Sequence, residues 1–118
     1  MYNGGSISAI VKLNFSFYLN YKDEWELDVN EVLDVKLLNE NEKDTMIYYI
    51  QEAIFNGSDY SQEEVEGLDF NEVMETKGID FEGTFRFEEK YWEYSTQDGT
   101  ETDCETTLKC INWKIVKE

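Results

Sequence analysis

The side chains able to do chemistry in this 118-residue chain are overwhelmingly carboxylates: 27 Asp and Glu stand against 10 Lys and Arg, with no His, for a formal charge of −17. Two carboxylates can cleave a glycoside, yet no spacing singles out a pair from so many. The sequence holds neither a nucleophile elbow nor a phosphate-cradling loop. Cys104 and Cys110 have no His to activate them. The expectation is a protein that is not an enzyme. Without His, and with two Cys, a zinc site of the usual kind has no ligand set. The acid-rich stretches DYSQEEVEG and TQDGTETD lack the spacing of a calcium loop. No metal and no cofactor is expected. In one continuous strand the two cysteines would lie roughly 20 Å apart, far beyond the ~7 Å a disulfide allows, so they read as free thiols of a reducing compartment.

Carboxylates that do not catalyse can still bind something basic, and their placement is uneven. Residues 59–105 hold 16 acids and 3 bases, a net −13, whereas residues 1–22 hold two lysines and no acid. In a strand, residues i and i+2 share a face about 6.8 Å apart. Asp80, Glu82 and Glu88 then line the outer face of one predicted strand, and Glu101, Asp103 and Glu105 line one face of its partner. Glu89 and Glu93 adjoin them, and Trp92 and Tyr94 share the face of Glu88. Exposed Trp and Tyr are typical anchors of a binding surface; the other reading of these two is a second small core under the helices. Glu63 and Glu64, with Glu66, Asp69 and Glu72, form a second acidic region. A row of carboxylates at this spacing matches a row of phosphates in scale. It suits a groove whose lysines and arginines otherwise hold a nucleic-acid backbone. Against this stands the plain reading of a solvated face that favours solubility.

The elements that must carry these residues follow from periodicity. From Ile7 to Tyr21 every odd position is apolar, the mark of a half-buried strand, predicted to be central. A carboxylate on its inner face would be buried unpaired, at several kcal/mol, which explains why acids avoid it. After a turn at Lys22-Asp23, Trp25, Leu27 and Val29 alternate with acids as a hairpin partner. The segment NEVLDVKLL fits either a strand or a helical face. NENEKDTMIYYIQEAIFNG predicts the main helix, capped by Asn39 or Asn41, with a stripe of Met46, Ile47, Ile50, Ala53 and Ile54, ending at Gly57. Ser61-Gln62-Glu63-Glu64 is a capping-box pattern opening a short second helix, with a further turn or two before Gly78.

From Ile79 the period returns to two, with Phe81, Phe85 and Phe87 inward and a hairpin tip at Asp98-Gly99. A three-residue loop, Asp98-Gly99-Thr100, would set Phe85 against Trp113, Phe87 against Ile111 and Glu93 against Glu105. A bulge near Glu88-Glu89 is the alternative repair of phase. The fold expected is α+β: one domain over residues 1–118, an antiparallel sheet of four or five strands, one main helix (about 40–56) packed on one face, and a short second helix.

By size, acidity, absent catalytic set and compact α+β plan, the chain resembles the small acidic anti-defence proteins of phages and mobile elements, including anti-CRISPR proteins. That resemblance is one of overall profile and carries no residue-level motif. It implies a non-enzymatic inhibitor that mimics nucleic acid and fills the basic cleft of a nuclease, such as the arginine-lined motif reader of an RNA-guided nuclease. So acidic a surface repels nucleic acid and anionic membranes themselves. The expected partner is a basic nucleic-acid-handling protein, met in the cytoplasm of a host cell, since MYNGGSIS shows no secretory pattern. Two alternatives stay open: an immunity protein that neutralises a toxin, and an acidic accessory or structural phage protein with no basic partner.

Overall fold

A computed structural model describes residues 4–38, 44–56 and 59–116. Four long strands dominate: β1 (Gly4–Leu19), β2 (Trp25–Leu37), β5 (Phe81–Thr96) and β6 (Gly99–Ile115). Between them come helix α1 (Asp44–Asn56), short strands β3 (Asp59–Ser61) and β4 (Val65–Glu66) flanking a single 3-10 turn, and the five-residue helix α2 (Phe70–Met74). All six strands belong to one sheet, in the order β3-β2-β1-β5-β6-β4. The acid-free first strand is central, as its alternation demands.

The fold is mostly β, which corrects the expected α+β plan of a four- or five-stranded sheet under one main helix. Two local causes account for the difference. The ambiguous segment 30–38 simply continues β2. Its register against β1 slips twice, leaving Asn30 and Leu33 without opposite residues. Each bulge turns the side-chain phase over, and two restore it. Val29, Val32, Val35 and Leu37 therefore all reach the core while Leu33 is 39% exposed. Spacings of three, three and two imitate a helical face, which is why periodicity alone read both ways. The second cause is the segment expected as a second helix. The Glu64 carboxylate does reach back to the Ser61 N–H (3.2 Å) and hydroxyl (3.1 Å), but it closes one 3-10 turn between two strands.

That turn shapes the whole molecule. Ser61 pairs with Glu26 of β2, and Val65 pairs with Leu108 of β6, at opposite ends of the strand order. Four residue steps span at most about 14 Å. The sheet is therefore curled until its two edges share one segment, β4 running parallel to β6. Inside the curl lie Val11, Leu13, Phe15, Leu27, Phe81, Phe85, Phe87 and Leu108, all 1% exposed or less. Phe15 stands 5.5–5.6 Å from Phe81 and Phe85, ring centre to ring centre. Each such ring contributes about 1.5–3 kcal/mol by leaving water. Gly83 makes room for them: a Cβ there would come within 2.7 Å of the Phe85 ring and 3.0 Å of the Phe15 ring.

Helix α1 packs on β2 through its predicted stripe, with Ile50 and Ile54 fully buried and Ile47 and Ala53 beside them. The predicted caps Asn39 and Asn41, the stop at Gly57 and the Met46 side chain lie outside the described residues. The β5–β6 hairpin also differs from the expected one. Thr96 faces Gly99, so the loop is the two residues Gln97-Asp98. The phase is repaired by a bulge at Ile111, not near Glu88-Glu89. Phe85 meets Cys110, Phe87 meets Leu108, and Ile111 is 55% exposed.

Candidate partner-binding surface

The face of the sheet turned away from the core carries Lys12 and Asn14 of β1, Asp28 of β2, the even positions of β5 and the odd positions 101–109 of β6. In its middle, acids and bases alternate. Glu82 lies 3.4 Å from the Lys114 ammonium and 3.7 Å from that of Lys12. Glu88 lies 3.4 Å from Lys90 and 3.9 Å from Arg86. These two predicted contact residues are neutralised by the protein's own cations. A third, Glu89, is on the wrong face altogether. At 6% exposure it sits inside the curl, where the Tyr49 hydroxyl donates to one oxygen (2.6 Å) and the Thr106 hydroxyl lies 3.5 Å from the other. Its role is to tie α1 to the hairpin. The hydrogen bond to Glu89 also pushes the Tyr49 phenol up to about 12.

Six predicted residues are brought together. Strand β1 is described from Gly4, which faces Trp92. Past that row, among the described residues, β5 and β6 have only each other as neighbours. Seventeen residues of β6 would extend about 57 Å if straight, against a longest molecular dimension of 51 Å. The hairpin thus runs the length of the molecule and ends, among the described residues, in an arm of two strands. Residues 93–104 of that arm hold Glu93, Asp98, Glu101 and Asp103 and no base. On its outer face Trp92 is opposite Asp103, and Tyr94 is opposite Glu101. The Tyr94 hydroxyl donates to Glu101 at 2.9 Å, which raises the phenol above its ordinary value. Glu105 sits at the base of the arm opposite Lys90, and Glu93 faces Thr102. The expected Glu93–Glu105 opposition is therefore absent.

The other predicted residues lie elsewhere. Asp80 precedes β5 at the far end of the hairpin, and Glu63 and Glu64 sit on the exposed 3-10 turn. Sequence reasoning missed a second acidic group beside that turn. Asp28 of β2 is directly opposite Asp59 of β3. Burial, and then the Asp59 charge, push the Asp28 carboxyl up. Next to it Glu26 accepts from Asn20 and Tyr18, both at 2.7 Å; those bonds hold its carboxyl below the usual range and raise the Tyr18 phenol. No local sequence signal pairs residues 28 and 59, because the contact depends on β3 returning beside β2 after helix α1. Asp28 lies beside Ser16 and Asp103 lies in the row of Gly4, so about 40 Å of strand separates the two groups. Uncompensated charge therefore gathers at opposite corners rather than in one sheet-wide patch.

Among the described residues no group of three or more Asp, Glu or Cys could hold a metal ion. Both cysteines are free: Cys104 is exposed on the arm, and burial pushes the Cys110 thiol up to about 11. No described helix is long and apolar enough to cross a membrane. No protein-family model matches the chain, nor does any curated protein or any solved structure.

Proposed function

We propose that this protein is a non-enzymatic inhibitor whose acidic β5–β6 arm occupies the basic nucleic-acid-binding cleft of a partner. An RNA-guided nuclease is the version favoured by the resemblance to anti-CRISPR proteins. The observation that carries the reading is the composition of the arm: a narrow ribbon of four acids and no base, flanked by the half-buried Trp92 and the 41% exposed Tyr94. Folding gains nothing from this concentration of like charge. A groove lined with Lys and Arg would gain from it, with fast, salt-sensitive association. The middle of the outer face has no such surplus, and its ion pairs are solvated structural contacts.

The test is inhibition of target-DNA cleavage by a purified RNA-guided nuclease, at low salt and at 1 M salt. One triple variant removes the outward carboxylates of β6 on and at the base of the arm (Glu101→Gln, Asp103→Asn, Glu105→Gln). Another removes the same charge outside both acidic regions (Glu24→Gln, Glu31→Gln, Asp34→Asn), at exposed positions. Inhibition should vanish with the first, survive the second and weaken at high salt. Equal loss in both would assign the effect to net charge and refute the arm. Inhibition undiminished at 1 M salt would refute the electrostatic mechanism.

A further inference from the structure

The arm has a second property that its charge does not require. Strand β4 covers the far side of β6 only at Leu108 and Lys109. From Gly99 to Thr107, among the described residues, that side has no strand beside it. Residues 99–106 are all exposed. A bare edge of this length presents a row of backbone donors and acceptors that templates another strand.

The side chains along the edge decide which strand fits. Glu101, Asp103 and Glu105 point to one face, and Thr102, Cys104 and Thr106 to the other. A strand laid alongside has its own alternate residues about 4.5–5.5 Å from these. A second copy of this chain is a poor occupant. Antiparallel pairing about Asp103 sets that residue against itself and Glu101 against Glu105, so like charges face each other at every outer position. Positively charged residues at every second position relieve this. The small opposite face places no demand on the alternate residues.

We propose that the edge of β6 from Thr100 to Thr107 takes up an extended basic segment of the partner as an added strand, with Lys or Arg at alternate positions meeting Glu101, Asp103 and Glu105. This rests on the reading that the arm meets a basic protein, and adds that recognition runs through the backbone as well as the charges.

Four synthetic octapeptides test it on the intact protein, read by fluorescence anisotropy and by amide exchange of residues 100–107. The first alternates Lys and Thr. The second has the same composition with its lysines contiguous. The third and fourth repeat the alternating sequence, N-methylated at every second residue in one phase or the other. The alternating peptide should bind at least about tenfold tighter than the contiguous one, through several ladder hydrogen bonds, and should protect the amides of the edge. One N-methyl phase should abolish that gain and the other preserve it, because only alternate N–H groups face β6. Binding of all four within about threefold, or binding without amide protection, overturns the added strand while leaving the acidic arm as a charge-based ligand. No binding by the alternating peptide overturns it as well. A dimer at neutral pH in sedimentation, through the same edge, would name the second copy as occupant and overturn it too. If the variant lacking the outward carboxylates of β6 inhibits as well as its parent, the underlying reading falls separately.

Discussion

The closure of the curled sheet can be tested at one residue. Gly67 follows β4 with φ +74, and a Cβ there would stand 2.8 Å from the carbonyl oxygen of Cys110. Two terms oppose Gly67→Ala. Left-handed backbone costs an L-residue about 1–2 kcal/mol, partly offset by about 0.4–1 kcal/mol from the stiffer unfolded chain. The contact adds about 1–3 kcal/mol, as overpacking does, and it falls on backbone that cannot swing aside. The expected loss is about 2–4 kcal/mol, a large share of the roughly 5–15 kcal/mol typical of a domain. Lys77, at φ +62, gauges the backbone term within the same protein. Lys77→Gly should be stabilising by up to about 1 kcal/mol. Gly67→Asn, which tolerates the left-handed region but keeps a Cβ, should recover no more than that amount. Urea unfolding measures all three, and amide exchange at Val65, Glu66, Leu108 and Lys109 reports whether the seam has opened. A Gly67→Ala protein within about 1 kcal/mol of its parent, with the seam still protected, would show that β4 is not pressed against β6, and the account of closure would be wrong.

Two further predictions concern buried and opposed carboxylates. Tyr49→Phe removes the 2.6 Å donor to Glu89; the half-exposed phenol discounts the bond to a cost of about 1 kcal/mol. The sign with pH is fixed. The folded phenol is raised to about 12 from an unfolded value of about 10, so its contribution is complete below about pH 10 and is lost as pH climbs through 12. The difference in unfolding free energy between parent and variant should shrink over that interval; a difference constant with pH would mean that this bond is not formed. Asp59→Asn relieves the charge facing Asp28 and should be stabilising at neutral pH by about 0.2–1 kcal/mol. A carboxyl raised by folding favours the native state below its unfolded value and disfavours it as pH rises through the raised one. The gain should therefore be present at pH 7 and smaller at pH 4, by urea midpoints at the two values. A variant no more stable than its parent at pH 7 would count against the pairing of β2 with β3.

What the sequence made legible is what repeats at short range. The alternation from Ile7 to Phe17, the Ile50–Ile54 stripe and the inward phenylalanines of β5 occupy the places their spacing demands, whereas Leu19 and Tyr21, in the same phase, are exposed past the end of the core. Each expresses a local period set against one core. What failed depends on register. The bulge at Ile111 reverses the phase beyond it, those at Asn30 and Leu33 reverse only the residues between them, and a bulge has no composition of its own. Glu89 was misplaced for another reason. Its odd position continues the inward phase of Phe85 and Phe87, but an acid beside Glu88 reads as solvated, and only the Tyr49 hydroxyl supplied by α1 makes its inward place tenable. Of the proposed contact set, residues 92–94 and 101–105 share a ribbon because a hairpin joins near neighbours in sequence. Asp28 and Asp59 meet because β3 pairs with β2 after the intervening helix, a long-range register that no local pattern encodes.

The charge of the arm contrasts with that of the sheet it extends. Wherever the sheet is at least three strands wide, an outward carboxylate on β5 has neighbours on both sides and along its own strand, and here those neighbours include Lys12, Arg86, Lys90 and Lys114. Past the row of Gly4 and Trp92, among the described residues, β5 has only β6 beside it. Ordinary solubility would put mixed charge there, as it does on the rest of the same face. Instead, residues 93–104 contain acids alone. The balanced middle of the sheet shows that the chain has cations to place beside carboxylates on this face. The absence of cations from residues 93–104 makes the arm a surface suited to cations supplied from outside.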